Sequence, residues 1–154
     1  MNQQGPKRTG ASPIDYYDSK GDVKPELFST IADRIGKALV EKTDKKIKGK
    51  GSFDISPTQL RRFFDDVKSI ESYLDQFSGK AREEAFAKKL PDVMMLKAKA
   101  AYARGRDAVT DEFKDFIEKN VDQVKTLKDF EVFCKFFEAV YGYFYYYSAS
   151  ARRN

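Results

Sequence analysis

Residues 130–147 read FEVFCKFFEAVYGYFYYY, and ten of these eighteen residues are Phe or Tyr. Such a stretch is typical of three structures: a membrane anchor, a platform on which nucleic-acid bases stack, or the central element of a folded core. Projected on a helix, it places apolar side chains on two stripes and leaves one narrow polar strip. The strip consists of Glu131, Lys135, Glu138 and Gly142. A helix that is apolar on most sides predicts a central packing helix.

The other two interpretations fit this stretch less well. A stacking platform needs exposed rings beside positive charge, whereas the polar strip offers Lys135 between two glutamates. A membrane span needs about 18 apolar residues with few charges, and charged residues interrupt this segment. Its last tyrosines are exceptions that we expect to reach an interface, namely Tyr145, Tyr146 and Tyr147.

Composition limits the chemistry of the chain. Its 154 residues predict one domain, and they include no histidine and one cysteine, Cys134. The lack of histidine removes His-based acid–base catalysis, His-activated nucleophiles and most zinc sites. Adjacent acids such as Asp65 and Asp66 point about 100° apart on a helix, which does not suit a catalytic or magnesium-binding pair. We expect no catalytic activity, metal or cofactor, and we expect Cys134 to be a small buried hydrophobe.

The N-terminal residues predict a tail. Residues 1–24 are rich in Gly, Pro, Ser, Lys and Asp, which is typical of a mobile segment, and residues 25–150 then form the helical domain. The first residues, MNQQGPKRTGASP, lack the apolar stretch of a signal peptide. We expect a cytoplasmic protein without a membrane segment.

Apolar residues recur at helical spacing through the rest of the chain. The predicted helices cover residues 27–42, 57–77, 81–90, 91–106, 107–124 and 126–147. Pro91 ends or kinks the third of these, and Thr126 can cap the last, with Asp129 three residues on. No convincing period-two alternation is present. The sequence therefore predicts an all-α, single-domain bundle of about five helices.

The segment 91–106 has two apolar sides and two basic edges. One side consists of Met94, Met95, Ala98, Ala101 and Tyr102, and the other of Val93, Leu96, Ala100 and Ala103. Along one edge lie Lys97 and Arg104, and along the other lie Lys99 and Arg106. Such a helix is either wedged between neighbours inside the bundle or presents one apolar side to another subunit. Its alanines would also let a phosphate chain come close, and the basic edges would neutralise phosphates without reading bases.

Charge is distributed unevenly. Residues 88–106 carry six bases against one acid, a net charge of +5, whereas residues 107–131 carry four bases against eight acids, a net charge of −4. This polarity suits a polyanion on one side or head-to-tail contacts between copies. Two ordinary solvated faces are the simpler alternative.

Basic side chains elsewhere are further candidates for phosphate contacts. On the helix 57–77, Arg61 and Lys68 lie on one flank of the core stripe, and Arg62 points away from the core. The alternative is a solvated face on which Arg61 pairs with Asp65 one turn away. The basic loop KTDKKIKGKGS at residues 42–52 adds candidates on charge alone. These are Lys45, Lys46, Lys48 and Lys50.

Three segments of the chain together resemble one protein family. They are SPTQLRRFFDDVKSI (56–70), LPDVMMLKAKAAYARGR (90–106) and FEVFCKFFEAVYGYFYYY (130–147). In this order and at these distances they resemble the small helical subunit of type III-A (Csm) CRISPR–Cas effector complexes, which act in antiviral defence. The tail and the loop at 42–50 lie outside the resemblance.

The resemblance implies a non-catalytic, all-helical protein whose copies stack as a filament along the backbone subunits that hold the guide RNA. It implies contacts with the backbones of guide RNA and target RNA, and it implies the backbone repeat subunits and the large polymerase-like subunit as partners. The resemblance assigns RNA contacts to the basic residues inside the matching segments. These are Arg61, Arg62, Lys68, Lys97, Lys99, Arg104 and Arg106.

The residues themselves leave a second function open. A helical scaffold that contacts proteins and no RNA would also explain the two apolar sides of the segment 91–106. A carboxylate-dependent nuclease is a third alternative, for which the sequence offers only acids that are adjacent along the chain.

Overall fold

The computed structural model describes the backbone of residues 14–47, 55 and 57–152, and the side chains of residues 14–40, 55 and 57–150. Within these ranges, a short 3-10 turn, Pro25–Phe28, precedes five α-helices. They are α1 (Thr30–Ile47), α2 (Pro57–Leu74), α3 (Gly79–Gly105), α4 (Asp111–Gln123) and α5 (Leu127–Arg152). The extended pairing in the described ranges is a single β-bridge between Tyr17 and Val23. The predicted all-α bundle of about five helices is confirmed.

Helix α5 is the central packing element. It contacts α1, α2 and α4, and Phe133, Phe136 and Phe137 are buried among them. The predicted polar strip is exposed along the same helix, so the core interpretation of the aromatic stretch is confirmed. None of the described helices has the length and hydropathy that a membrane span requires.

The start of α5 is fixed by the capping residues that the sequence predicts. The Thr126 hydroxyl accepts a hydrogen bond from the Asp129 amide (3.2 Å), and the Asp129 carboxylate accepts one from the Thr126 amide (3.0 Å). These reciprocal bonds satisfy amides that have no partner inside the helix. The Lys125 amide also donates to Asp129, over 3.1 Å.

Helices α1 and α5 approach each other closely at Gly36. A Cβ atom at this position would lie 2.8 Å from the backbone nitrogen of Phe144 and 2.8 Å from Cβ of Tyr143. No real Cβ atom tolerates such distances, so a side chain here would push the helices apart. Glycine at position 36 therefore sets the separation of the two helices.

The two helices predicted on either side of Pro91 form one continuous helix, α3. Proline lacks an amide hydrogen and leaves the carbonyl of residue 87 without its helical donor. Ala87 and Pro91 are both exposed, so water can hydrate this carbonyl. Of the two predicted outcomes at Pro91, an end or a kink of the helix, an end is excluded because α3 continues through Pro91.

The predicted tail was placed at residues 1–24. Residues 1–13 lie outside the described residues. Of residues 14–24, Tyr16 is buried and Ile14, Tyr17 and Val23 pack against the core, whereas residues 18–22 are exposed. The predicted boundary at residue 24 does not hold for the residues that pack. Tyr16 is 1% exposed, and its ring meets Phe136 edge-on at a centroid distance of 6.1 Å. The neighbouring Tyr17 hydroxyl donates to Asp129. Two tyrosines thus anchor a segment whose composition is otherwise typical of a loop.

Candidate nucleic-acid interface

Helices α2 and α3 lie side by side in opposite directions and carry the seven candidates from the matching segments. Arg82, near the start of α3, donates to the carbonyl of Leu74 at the end of α2 (2.7 Å). Farther along α3, Lys99 binds Asp66, which lies two turns before Leu74 (3.2 Å between Nζ and Oδ2). We call the line along which the two helices meet the α2–α3 seam.

One apolar side of α3 is buried and the other is exposed. Val93, Leu96 and Ala100 face the core and are buried. On the opposite side, Met95 is 52% exposed and Tyr102 is 66% exposed. The helix is therefore not wedged inside the bundle. The exposure agrees with the other predicted arrangement, in which one apolar side of the helix faces a partner.

One basic edge of α3 faces α4. Lys97 forms an ion pair with Asp122, and Arg104 binds both Asp107 (2.8 Å) and Asp111 (2.7 Å). The hydrogen bond with Asp111 and its charge raise the pKa of Arg104 further. The basic and acidic parts of the sequence are thus neighbours that neutralise each other across the α3–α4 contact.

Two further candidate lysines also bind carboxylates. Lys68 donates to Glu71 (2.9 Å) and lies 3.6 Å from Glu138 of α5. The hydrogen bond with Glu71 raises the pKa of Lys68 despite its partial burial. Lys99 pairs with Asp66, as described above. A phosphate at Lys68, Lys97, Lys99 or Arg104 would have to compete with a carboxylate that is already in place.

Three candidate arginines differ from these four residues. The Arg61 side chain is 70% exposed and lies 3.8 Å from Asp65, so the predicted pair one turn apart is present, but it is a weak surface contact. Arg62 and Arg106 are exposed, and neither pairs with a carboxylate of the described residues. The Arg106 guanidinium instead lies over the ring of Tyr102, 5.4 Å from its centroid.

Arg62, Tyr102 and Arg106 lie at the same end of the seam. Arg62 is one turn before Asp66 on α2, and Tyr102 is about one turn after Lys99 on α3. Since the helices are antiparallel and Asp66 meets Lys99, both steps lead toward the start of α2. Arg106, which directly follows the last residue of α3, lies one turn after Tyr102. We call these three residues the seam-end cluster.

Sequence reasoning did not single out the contact between Tyr102 and Arg106. The helical projection placed it on an apolar side, where burial is the usual outcome. The signal that was available is its spacing from Arg106, since residues four apart on a helix face each other and an arginine favours an aromatic neighbour.

The lysine-rich segment differs in part from the predicted loop. Helix α1 continues to Ile47, so the backbone of Lys45 and Lys46 is helical. The side chains of these two lysines, and all of Lys48 and Lys50, lie outside the described residues. Their predicted role in RNA binding stays a prediction from charge.

The tyrosines at the end of α5 divide into two groups. Tyr145 and Tyr146 are exposed, and Tyr146 borders an open apolar groove together with Ala139, Gly142 and Tyr143. Tyr147 turns inward and donates a hydrogen bond to Asp33 of α1, which raises the pKa of its hydroxyl to about 12. Only the first two of the three tyrosines have the exposure that an interface requires.

Comparisons with known proteins identify the same family as the three sequence segments. The family model described as Csm2 Type III-A matches residues 22–150 of the chain. A relative from Streptococcus thermophilus, the CRISPR system Cms protein Csm2, is 28% identical over 115 residues, which are 71% of this chain and 83% of the relative. No solved structure matches this chain significantly.

The family match spans all five described helices, including the seam-end cluster and the central aromatic helix. It includes all three segments that carried the resemblance. This chain belongs to the Csm2 family of type III-A, the small helical subunits of Csm CRISPR–Cas effector complexes.

Proposed function

We propose that this chain is a non-catalytic, cytoplasmic subunit of its effector complex that binds the backbones of guide and target RNA without sequence preference. In this proposal several copies stack along the repeat subunits, beside the large polymerase-like subunit. The observation that carries the RNA-binding part is the seam-end cluster, where Arg62 and Arg106 are exposed and bind no described carboxylate. Guanidinium groups in this state favour phosphate, and base pairing with the guide supplies the specificity.

The stacking part of the proposal is supported by the outer side of α3. Met94 and Met95 leave an apolar surface beside the alanines of this helix. Contact between copies through opposite charges has less support, because Lys97 and Arg104 already bind acids of the α4 region in the same chain.

The RNA-binding part is tested by charge reversal in the assembled complex. We expect the double variant Arg62→Glu/Arg106→Glu to weaken target RNA binding and to reduce the slope of log K against log salt by about 1.4, since each lost contact with a single strand removes about 0.7. The matched control is Lys80→Glu/Lys135→Glu, which changes the same charge at two other exposed positions.

Lys80 suits this control because it lies at the other end of α3. It is 26 residues from Arg106, or about 39 Å along the helix. If the two double variants reduce affinity and slope equally, the effect is one of net charge, and the assignment to the seam-end cluster is wrong.

A protein scaffold without RNA contact is the second candidate function. The observation that favours it is that Lys68, Lys97, Lys99 and Arg104 are all paired with carboxylates. Photochemical crosslinking of the assembled complex to its RNA distinguishes the two functions. Crosslinks to this chain support RNA binding, and a complex that crosslinks RNA only to other subunits supports the scaffold.

A further inference from the structure

We propose that Tyr102 is a base-stacking residue, and that the seam-end cluster binds an unpaired RNA nucleotide. The base would lie on the Tyr102 ring while Arg106 and Arg62 hold the adjoining phosphates. This inference rests on the proposed function and extends it, because phosphate contacts alone do not distinguish single strands from duplexes.

The ring of Tyr102 is accessible to a planar ligand. Its 66% exposure is the highest among the exposed large apolar residues of the described chain. Arg106 covers one face of the ring. The helical neighbours at positions 98, 101 and 105 are two alanines and a glycine, and even a Cβ atom on Gly105 would meet nothing within 4 Å. Among the described residues, these three neighbours therefore leave space beside the ring.

The charge around this ring suits a nucleotide. Arg106 directly follows the helix that carries Tyr102, and Arg62 lies on the neighbouring helix α2. Neither binds a described carboxylate. Single-strand binding proteins combine these two elements, an aromatic face for the base and cations for the backbone. The exposed Tyr146 lacks this arrangement, since its ring contacts Tyr147 edge-on at 5.1 Å.

The ring favours unpaired RNA over a duplex. The bases of an A-form helix are stacked on one another and offer phosphates and 2′-hydroxyls at the surface, whereas unstacked bases expose a whole face. A site for the backbone alone would need only the two arginines. The exposed ring of Tyr102 at the same end of the seam is the feature that a duplex would leave unused.

The position of crosslinks in the wild-type complex gives the first test. The effector complex is assembled with the full chain and a target RNA that carries 4-thiouridine in place of uridine, irradiated and digested, and the adducts are mapped by mass spectrometry. We expect a uridine adduct on Tyr102. Adducts elsewhere on this chain with none on Tyr102 would overturn the inference and leave the proposed function standing. A chain without any adduct would overturn the inference, and the salt dependence of the Arg62→Glu/Arg106→Glu variant would then decide the proposed function on its own.

Variants give the second test. We expect Tyr102→Ala to lower the affinity of the complex for target RNA by about 5- to 150-fold, the range for loss of one stacked base, and Tyr102→Phe to stay within twofold of wild type because the ring is kept. Tyr146→Ala is the matched control, with 62% exposure, and should also stay within twofold. Equal affinities for Tyr102→Ala and wild type would overturn the inference.

Assembly of the variants separates RNA from a protein partner. If Tyr102→Ala releases a protein subunit and wild-type Tyr102 carries no uridine adduct, the cluster is a protein contact and the inference is wrong. If Tyr102→Ala fails to assemble but Tyr102 carries the adduct in the wild-type complex, the inference stands.

Discussion

The Tyr16 hydroxyl donates a hydrogen bond to the side-chain oxygen of Asn120, and both side chains are buried, at 1% and 0% exposure. The amide group of Asn120 donates in turn to the carbonyl of Phe116 over 2.7 Å. A buried amide oxygen needs a donor, because burial without one costs free energy. The pair therefore connects the segment before α1 to the interior of α4.

Removal of the Tyr16 hydroxyl should destabilise the fold. We expect Tyr16→Phe to lower the free energy of unfolding by about 1–3 kcal/mol, since the Asn120 oxygen is left buried and unsatisfied. Urea denaturation of the purified chain measures this change. Tyr17→Phe is the control, and its effect should be smaller because Asp129 keeps hydrogen bonds from the amides of Lys125 and Thr126. Equal losses in the two variants would contradict this ranking.

The close approach of α1 and α5 predicts opposite effects for two glycines. Gly36→Ala should lower stability by about 1–3 kcal/mol, because the added methyl group overlaps the backbone of Phe144. Gly142→Ala adds the same methyl group where nothing lies within 4 Å, and alanine favours a helix over glycine by about 1 kcal/mol. The melting temperatures of both variants, measured by thermal unfolding, test these two expectations. A stabilised Gly36→Ala variant would show that the helices can separate at no cost.

The ion pair between Lys97 and Asp122 predicts a structural role for Lys97. We expect Lys97→Glu to lower stability by about 1 kcal/mol or less, as is usual for surface pairs, and the swap Lys97→Glu/Asp122→Lys to recover most of the loss. The swap should leave RNA affinity unchanged, because the two residues pair with each other within this chain. Denaturation and RNA titration of the same samples measure both effects. An RNA affinity that falls with Lys97→Glu and is not recovered by the swap would instead support a phosphate contact at this residue.

The carboxylate of Asp129 predicts a dependence of stability on pH. Burial acts to raise its pKa, but hydrogen bonds from Tyr17 and from the amides of Lys125 and Thr126 outweigh burial and hold the pKa below its usual value of 3.8. The folded state therefore binds this proton less tightly than the unfolded chain. The stabilisation is present above the unfolded pKa and is lost as the pH falls through the lower folded pKa.

This dependence is measured as the difference in unfolding free energy between wild type and Asp129→Asn. We expect the difference to be constant near neutral pH and to shrink as the pH falls below about 4. Asp92→Asn is a suitable control, since Asp92 is exposed. A difference for Asp129 that does not change down to acidic pH would contradict the role of its ionised form.

Burial predicts that the thiol of Cys134 is inert. The side chain is 1% exposed, and burial raises the pKa of the thiol well above its ordinary value. A thiol reagent should therefore leave the folded protein unlabelled and react fully in denaturant. The control variant Ser72→Cys adds a thiol at an exposed position of α2 and should be labelled at once. Rapid labelling of Cys134 in the folded chain would show that α5 opens locally.

The periodicity of apolar residues was enough to predict the helices and the central role of α5. Phe133, Phe136 and Phe137 were correctly placed in the core because a helix that is apolar on most sides has no other stable position. The sequence did not predict the anchoring of Tyr16, because its partner Asn120 lies 104 residues away and is polar. Long-range pairs of this kind leave no local pattern.

The candidate site was harder to predict than the fold. Helical projection identified both basic edges of α3, but it carries no information on what lies opposite each edge. Lys97 and Arg104 meet acids of the α4 region, whereas Arg106 meets the ring of Tyr102. Tertiary contacts thus determine which of these basic side chains pairs with a carboxylate and which does not.

The antiparallel arrangement of the helices places the N-terminal anchor far from the seam-end cluster. Tyr17 binds Asp129 at the start of α5, and Arg82 of α3 binds Glu131 in the same region. Tyr102 lies 20 residues beyond Arg82, or about 30 Å along α3. Free-energy changes at sites so far apart are usually additive. Substitutions at the anchor can therefore be used to adjust the thermal stability of this subunit while the proposed RNA contacts at the seam-end cluster are tested independently.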